Sequence, residues 1–136
     1  MPRLIGVDLG TRRIGIALSD SNGVLATPLL TLPRTSDEHD AQAIAEISRA
    51  EKARTIILGY PLTLAGLAEE AAKMAESFAG KLRAAGMRVR LWDERLTTVE
   101  AEKRLRTRGM KGRQRREVID KLAAAVMLQS YLDTKK

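Results

Sequence analysis

The chain has 136 residues, of which 44% are hydrophobic, a size and composition that suit one domain around a single core. It has no cysteine and a single histidine, His39, which excludes disulfides, thiolate metal sites and His-rich zinc sites; any catalytic metal would be held by oxygen, favouring Mg²⁺ or Mn²⁺. The net charge is +7, no apolar run approaches the roughly 20 residues of a membrane span, and no signal-peptide pattern opens the chain, so a cytoplasmic protein with an anionic partner is expected.

Arg3–Leu9 is rich in Ile, Leu and Val and predicts a strand that carries Asp8 at its end. Thr11-Arg12-Arg13 forms a turn, and Ile14–Leu18 a second strand. Ser21-Asn22-Gly23 is a hairpin signal, followed by a third strand over Val24–Leu32. Pro28 removes a ladder donor from that strand and places it near an edge. A helix is predicted from Ser36 to Lys52, with Ser36 as N-cap ahead of Asp37 and Glu38. Thr55–Gly59 is short and β-branched, a buried strand. Leu67, Ala71, Met74, Ala75, Phe78 and Leu82 then recur at helical spacing up to Gly86. Val89–Trp92 is the fifth strand. Thr97 and Glu100 form a capping box for a helix over Thr98–Arg106. Gly109 and Gly112 break the chain into a mobile loop before a last helix over Arg115–Leu132. The expected architecture is α/β: one five-stranded mixed sheet, with three hairpin-connected strands and then two parallel strands, flanked by helices in a single domain over 1–136.

The positive charge is concentrated. Residues 103–116 hold Lys103, Arg104, Arg106, Arg108, Lys111, Arg113, Arg115 and Arg116 and no acid, leaving sixteen basic against seventeen acidic residues elsewhere. Solubility alone does not require all the excess in one segment, so a phosphate-binding surface is favoured over a solvated helix face.

Three acidic positions lie at the ends of apolar elements: Asp8, Glu94 with Asp93 beside it, and Asp120 ahead of Leu122-Ala123-Ala124-Ala125-Val126. A carboxylate beside a core is costly unless it is neutralised. Three such groups from distant parts of the chain can share a divalent cation, the arrangement that phosphoryl transfer uses to activate water and stabilise a leaving oxygen. Each position also has a plain structural explanation. Asp8 can cap its own turn at Gly10-Thr11, Glu94 can pair with Arg95, and Asp120 can pair with Lys121, Arg116 or Arg113. Neighbours on an extended chain face opposite ways, so Glu94, with its longer arm, is preferred to Asp93.

The motifs Asp8-Leu9-Gly10-Thr11-Arg12-Arg13-Ile14-Gly15, Gly59-Tyr60-Pro61-Leu62, Asp93-Glu94-Arg95-Leu96-Thr97-Thr98 and Ile119-Asp120-Lys121-Leu122-Ala123-Ala124 occur in that order. Together they resemble the YqgF/RuvX family over essentially the whole chain. The resemblance implies an RNase H-like fold and a hydrolase of the nuclease class, with Asp8, Glu94 and Asp120 as the acidic triad holding Mg²⁺ or Mn²⁺. A clear fourth acid is missing; Asp20 and Asp93 are the weaker candidates, and a hairpin Asp20 beside Ser21-Asn22-Gly23 is more often structural. The resemblance also implies processing of the 5′ end of precursor 16S ribosomal RNA, or resolution of Holliday junctions.

The expected partner is therefore structured RNA or branched DNA, contacted by Arg12, Arg13, Arg95 and the basic segment 103–116, with the protein a monomer or weak dimer and no membrane involved. Only Tyr60, Phe78, Trp92 and Tyr131 are aromatic, too few to favour base stacking over recognition of backbone and shape. Two other classes compete. An actin-like phosphotransferase also opens with Asp-x-Gly-Thr but needs a second domain to enclose ATP. A non-catalytic RNA-binding assembly factor would explain the basic segment but leave three carboxylates without a purpose.

Overall fold

The computed structural model describes residues 3–60, 67–93 and 112–134; for 67–69, 93 and 112–117 it describes the backbone alone. The elements in chain order are β1 (Arg3–Leu9), β2 (Arg13–Ser19), β3 (Ala26–Pro33), α1 (Asp37–Ala50), β4 (Ala53–Tyr60), α2 (Leu67–Ala84), β5 (Arg88–Asp93) and α3 (Gly112–Asp133). The expected helix over Thr98–Arg106 lies outside the described residues.

The five strands form one sheet in the order β3-β2-β1-β4-β5. The pairs β1–β2 and β2–β3 are antiparallel, and β1–β4 and β4–β5 are parallel. This is the mixed sheet expected from three hairpin-linked strands followed by two crossover strands. β3 lies at an edge, as Pro28 requires, and its register slips opposite Ile16 and Ala17, so that Leu29 is bulged beside the proline.

Alternation along the strands builds two cores. Ile5, Val7, Leu9, Ile14, Ile16, Ile56 and Leu58 face α1 and α2, where Ile44, Phe78 and Leu82 are fully buried. Side chains of this size each contribute roughly 1.5–3 kcal/mol on burial. Leu4, Ala17, Ile57 and Trp92 face the other way, against Ala124, Met127, Leu128 and Tyr131 of α3. Trp92 and Tyr131 meet edge to face, with ring centroids 5.3 Å apart.

Side-chain size sets how closely α3 lies on its face of the sheet. A Cβ on Gly6 would come 2.8 Å from the Leu128 Cβ and 3.2 Å from the Ala124 carbonyl oxygen; one on Gly15 would come 2.0 Å from the Asp120 carbonyl oxygen. The helix backbone therefore rests directly on two glycines. Farther along, Gln129 clamps the β2–β3 connection: its Oε1 accepts the Ala26 N–H at 2.9 Å and its Nε2 donates to the Val24 carbonyl at 2.8 Å.

Local signals explain the helix ends. The Ser36 Oγ accepts the His39 N–H at 3.1 Å, capping α1 as expected. α2 gives way to Gly86, at φ +95°. α3 departs from expectation: it starts at Gly112, three residues early, so Gly112 belongs to the helix and not to a loop. A glycine disfavours a helix by about 1 kcal/mol, which the residues that follow can outweigh.

Candidate active site

The carboxyl ends of β1, β4 and β5 lie together, because these strands are mutually parallel. Asp8, the penultimate residue of β1, is half-buried and pairs in register with Gly15 of β2 and Gly59 of β4. Alternation with Leu4 and Gly6 puts Asp8 on the α3 face. The residues paired with Asp8 on both neighbouring strands are glycines, so neither places a side chain next to it within the sheet. Trp92 stands on the same register row one strand farther, paired with Gly59.

Asp120 reaches this place from the opposite end of the chain. Its backbone lies over Gly15, the residue paired with Asp8. Gly15 is thus the common neighbour of two acids separated by more than a hundred residues. Any side chain at Gly15 would push α3, and Asp120 with it, away from the strand ends. Ala123 and Ala124 continue the close approach and are buried.

The partner of Asp120 is Arg13. The Arg13 Nε donates to the Asp120 Oδ2, with both side chains about a quarter exposed. β2 begins beside Asp120, and its first residue supplies this cation; the side chains of Arg113 and Arg116 lie outside the described residues. The Gly10 N–H donates to the Arg13 carbonyl at 3.0 Å, which fixes the turn. Arg12 is exposed at the same end of the sheet, and its carbonyl accepts the Arg34 N–H at 2.9 Å.

Asp20 does not belong to this site. β2 runs antiparallel to β1, so Asp20 lies at the far end of the sheet, five residues along β2 from Gly15 and about 17 Å away at 3.4 Å per residue. Its Oδ1 accepts the Val24 N–H at 2.8 Å and the Leu25 N–H at 3.2 Å. The Val24 bond in particular holds its pKa below the usual carboxylate value. Asp20 stabilises its turn and stands at the end of the sheet away from Asp8 and Asp120, out of reach of a shared ion.

Asp93 is the last residue of β5, paired in register with Tyr60 at the Asp8 end of the sheet. Arg113, Arg115 and Arg116 lie on the first turns of α3. Glu94, Arg95, Lys103, Arg104, Arg106, Arg108 and Lys111 lie outside the described residues. Among the described residues, no group of three or more acids and histidines forms a metal cage.

One buried acid escaped the sequence reading. Asp40 is 2% exposed in the first turn of α1. It accepts the Thr35 N–H at 3.0 Å and the Thr35 hydroxyl at 2.6 Å, with the Arg34 guanidinium 3.3 Å away. Its charge is satisfied by the loop it organises, and Arg34 in turn covers the Phe78 ring. The position of an acid at a helix start was the available signal.

A family described as "RuvX: Holliday junction resolvase" matches residues 2–134. The chain belongs to the RuvX family. Curated relatives run along its whole length: it is 47% identical to a "Putative pre-16S rRNA nuclease" of Desulforudis audaxviator over 98% of this chain and 96% of that one. It is 43% identical to a protein of the same name from Anaeromyxobacter sp. strain K, over 96% of each. Among solved structures, the chain resembles T. thermophilus RuvC in complex with a Holliday junction substrate, with a TM-score of 0.58 at 12% identity over 99% of this chain and 96% of that one. It also resembles the Fowlpox virus resolvase–junction complex, with a TM-score of 0.55 at 9% identity over 98% of each chain. The RuvX chain thus has the RNase H-like fold, and its family makes it a hydrolase of the nuclease class.

Proposed function

We propose that this protein is a divalent-metal-dependent endonuclease acting on structured nucleic acid, and that its substrate is the precursor of 16S ribosomal RNA. The observation that carries the catalytic reading is the meeting of Asp8 and Asp120 across Gly15 at the carboxyl end of the sheet. The curated relatives' names support the substrate.

The donor chemistry fits a hard cation. The acids are carboxylates, and the cysteine-free, histidine-poor chain offers no softer set. Gly15 and Gly59 place no side chain beside Asp8 in the sheet, and Asp120 already accepts a cationic partner in Arg13. Asp8, Asp120 and Glu94 would hold Mg²⁺ or Mn²⁺, which supplies charge stabilisation and an activated water at the phosphodiester. Arg13 neutralises Asp120 when no other cation does; with a metal ion held there, its guanidinium would be free to turn to a phosphate oxygen. Arg12 draws the polyanionic backbone to this end of the sheet, and the basic segment 103–116 adds the charge that a polyanion requires.

Resolution of a four-way junction is the second reading, supported by the family's description and by the resolvases that share the fold. It needs two symmetric cuts and hence two sites related by a two-fold axis. The purified protein should be given precursor 16S rRNA and four-way junctions side by side, with Mg²⁺ or Mn²⁺, and its sedimentation measured. Specific cleavage of the RNA by a monomer supports the first reading; paired symmetric cuts by a dimer replace it with the second.

A further inference from the structure

The amino ends of β4 and β5, opposite the acidic pair, carry a second concentration of positive charge. The connections from α1 into β4 and from α2 into β5 enclose an open cleft of about 690 Å³, lined by Arg49, Lys52, Ala53, Arg54, Met87 and Arg88 together with Gly86. Its apolar floor, Ala53 and Met87, is buried; its four cations are exposed, and no carboxylate lines it.

Helix termini account for one of these cations. The C-termini of α1 and α2 carry partial negative charge, and Arg49 answers it by donating to the Ala85 carbonyl at 3.2 Å. Glu51, the adjacent acid, is paired with Arg3 at 3.3 Å. Among the described residues, no carboxylate pairs with Lys52, Arg54 or Arg88. Three cations thus converge on one cleft with their charge uncompensated.

The backbone is bent to place two of them. Lys52 follows the C-cap of α1 at φ +59°, the one positive φ outside glycine among the described residues. Glycine would take that position without steric cost, so a lysine there needs a reason beyond the fold. Two residues on, the β1–β4 register slips from Arg3↔Ala53 to Leu4↔Thr55, leaving Arg54 as an extra residue opposite β1. Bulges of this kind re-aim a side chain.

We propose that Arg49, Lys52, Arg54 and Arg88 form a second phosphate-binding site, occupied by the backbone of the nucleic acid that is cut at the other end of the sheet. The identity of the polyanion rests on the nuclease reading above; the cleft itself does not. Six residues of β4 separate Ala53 from Gly59, which is level with Asp8, a distance of about 20 Å. A duplex carries one phosphate per ~1.7 Å of axis, so about a dozen phosphates span the two sites. A single substrate can therefore occupy both.

The test compares wild type, the Arg54→Ala/Arg88→Ala double variant and Lys52→Gly, with binding to a 20-base-pair RNA duplex measured across salt concentrations in EDTA. Each lost phosphate contact should flatten the log–log salt slope by about 0.7–0.9, so the double variant should lose about tenfold less affinity than wild type between 50 and 200 mM salt. Lys52→Gly should melt at a higher temperature than wild type while also flattening the slope, a combination that a purely structural lysine would not give. Inorganic phosphate, followed by amide shifts at Arg54 and Arg88, separates a free anion from a backbone: shifts with phosphate but none with duplex overturn the proposal. Unchanged slopes in both variants overturn it as well. Flattened slopes from a protein that cleaves no nucleic acid with Mg²⁺ or Mn²⁺ support the cleft and refute the nuclease reading instead.

Discussion

Replacing Gly15 with alanine tests the convergence of Asp8 and Asp120 without touching either acid. The added Cβ would lie 2.0 Å from the Asp120 carbonyl oxygen and 2.4 Å from its carbonyl carbon. Both obstacles are backbone, so no rotamer change relieves them, and α3 must move outward by about 1 Å or more to reach an ordinary contact. Overpacking of this kind costs about 1–3 kcal/mol. For a chain of this length, 1 kcal/mol lowers Tm by about 3–4 °C, so a fall of roughly 3–12 °C is expected. Catalysis should suffer more than stability, because a 1 Å displacement of a catalytic group can cost about 100-fold in rate. Thermal and urea unfolding followed by circular dichroism give the first quantity, and single-turnover cleavage of precursor RNA with Mg²⁺ gives the second. Gly80→Ala is the control: nothing lies within 4 Å of its Cβ, and an alanine in an exposed helix interior should stabilise by about 0.5–1 kcal/mol. A Gly15→Ala protein that melts within about a degree of wild type and cuts within about twofold would refute the close approach of α3.

Asp8→Asn should abolish cleavage in the same assay while leaving nucleic-acid affinity equal or higher, since asparagine is a poor ligand for a hard cation yet removes a charge that repels phosphate. Asp20→Asn should retain wild-type cleavage; lost activity would reinstate it as a ligand. Its effect on stability should depend on pH in a defined sense: the folded pKa lies below the ordinary 3.8, so the stabilisation is complete above that value and disappears as pH falls through the folded pKa. Urea midpoints of Asp20→Asn and wild type should thus differ at pH 6, and the difference should shrink as the pH is taken down through the folded pKa, below 3.8. Lys52→Gly should raise stability by about 1 kcal/mol by relieving the left-handed lysine, read by urea unfolding; a loss would show that the side chain is needed for the fold. Alanine at Arg108, Lys111, Arg113 and Arg115 should flatten the salt dependence of binding by about 0.7–0.9 per contact, and an unchanged slope would return the segment to a solvated surface.

The sheet was readable because its signals are local. The apolar run of β1, the Asn-Gly turn and the ladder-breaking Pro28 each act within a few residues, and Arg3–Leu9 is bounded as its composition suggests. The start of α3 was misjudged because Gly112 breaks a helix by propensity, whereas the helix observed depends on its neighbours. Asp8 and Asp120 were legible as acids beside apolar runs. Their meeting point was not, because Gly15 is informative only once β2 is paired with β1 and crossed by α3. The same holds for Arg13 and Asp120, separated by 107 positions. The structural reading of Asp20 was legible in its hairpin setting, and its distance from Asp8 follows from topology: an antiparallel hairpin carries its turn to the end of the sheet opposite the one where β1 finishes.

The covering of one sheet face by α3 has a consequence for the order of events during synthesis. All five strands and both helices of the opposite face precede α3 in the chain, so the Ile5–Ile44–Phe78 core can close while Leu4, Ala17, Ile57 and Trp92 still face water. Synthesis adds about 5–20 residues per second, so α3 follows the rest of the chain by seconds. Throughout that interval the nascent chain has Asp8 but no Asp120 to set beside it. Docking of α3 covers the exposed face and brings Asp120 to the strand that pairs with Asp8 in one step, so on the proposed reading an unfinished chain has no assembled cutting site.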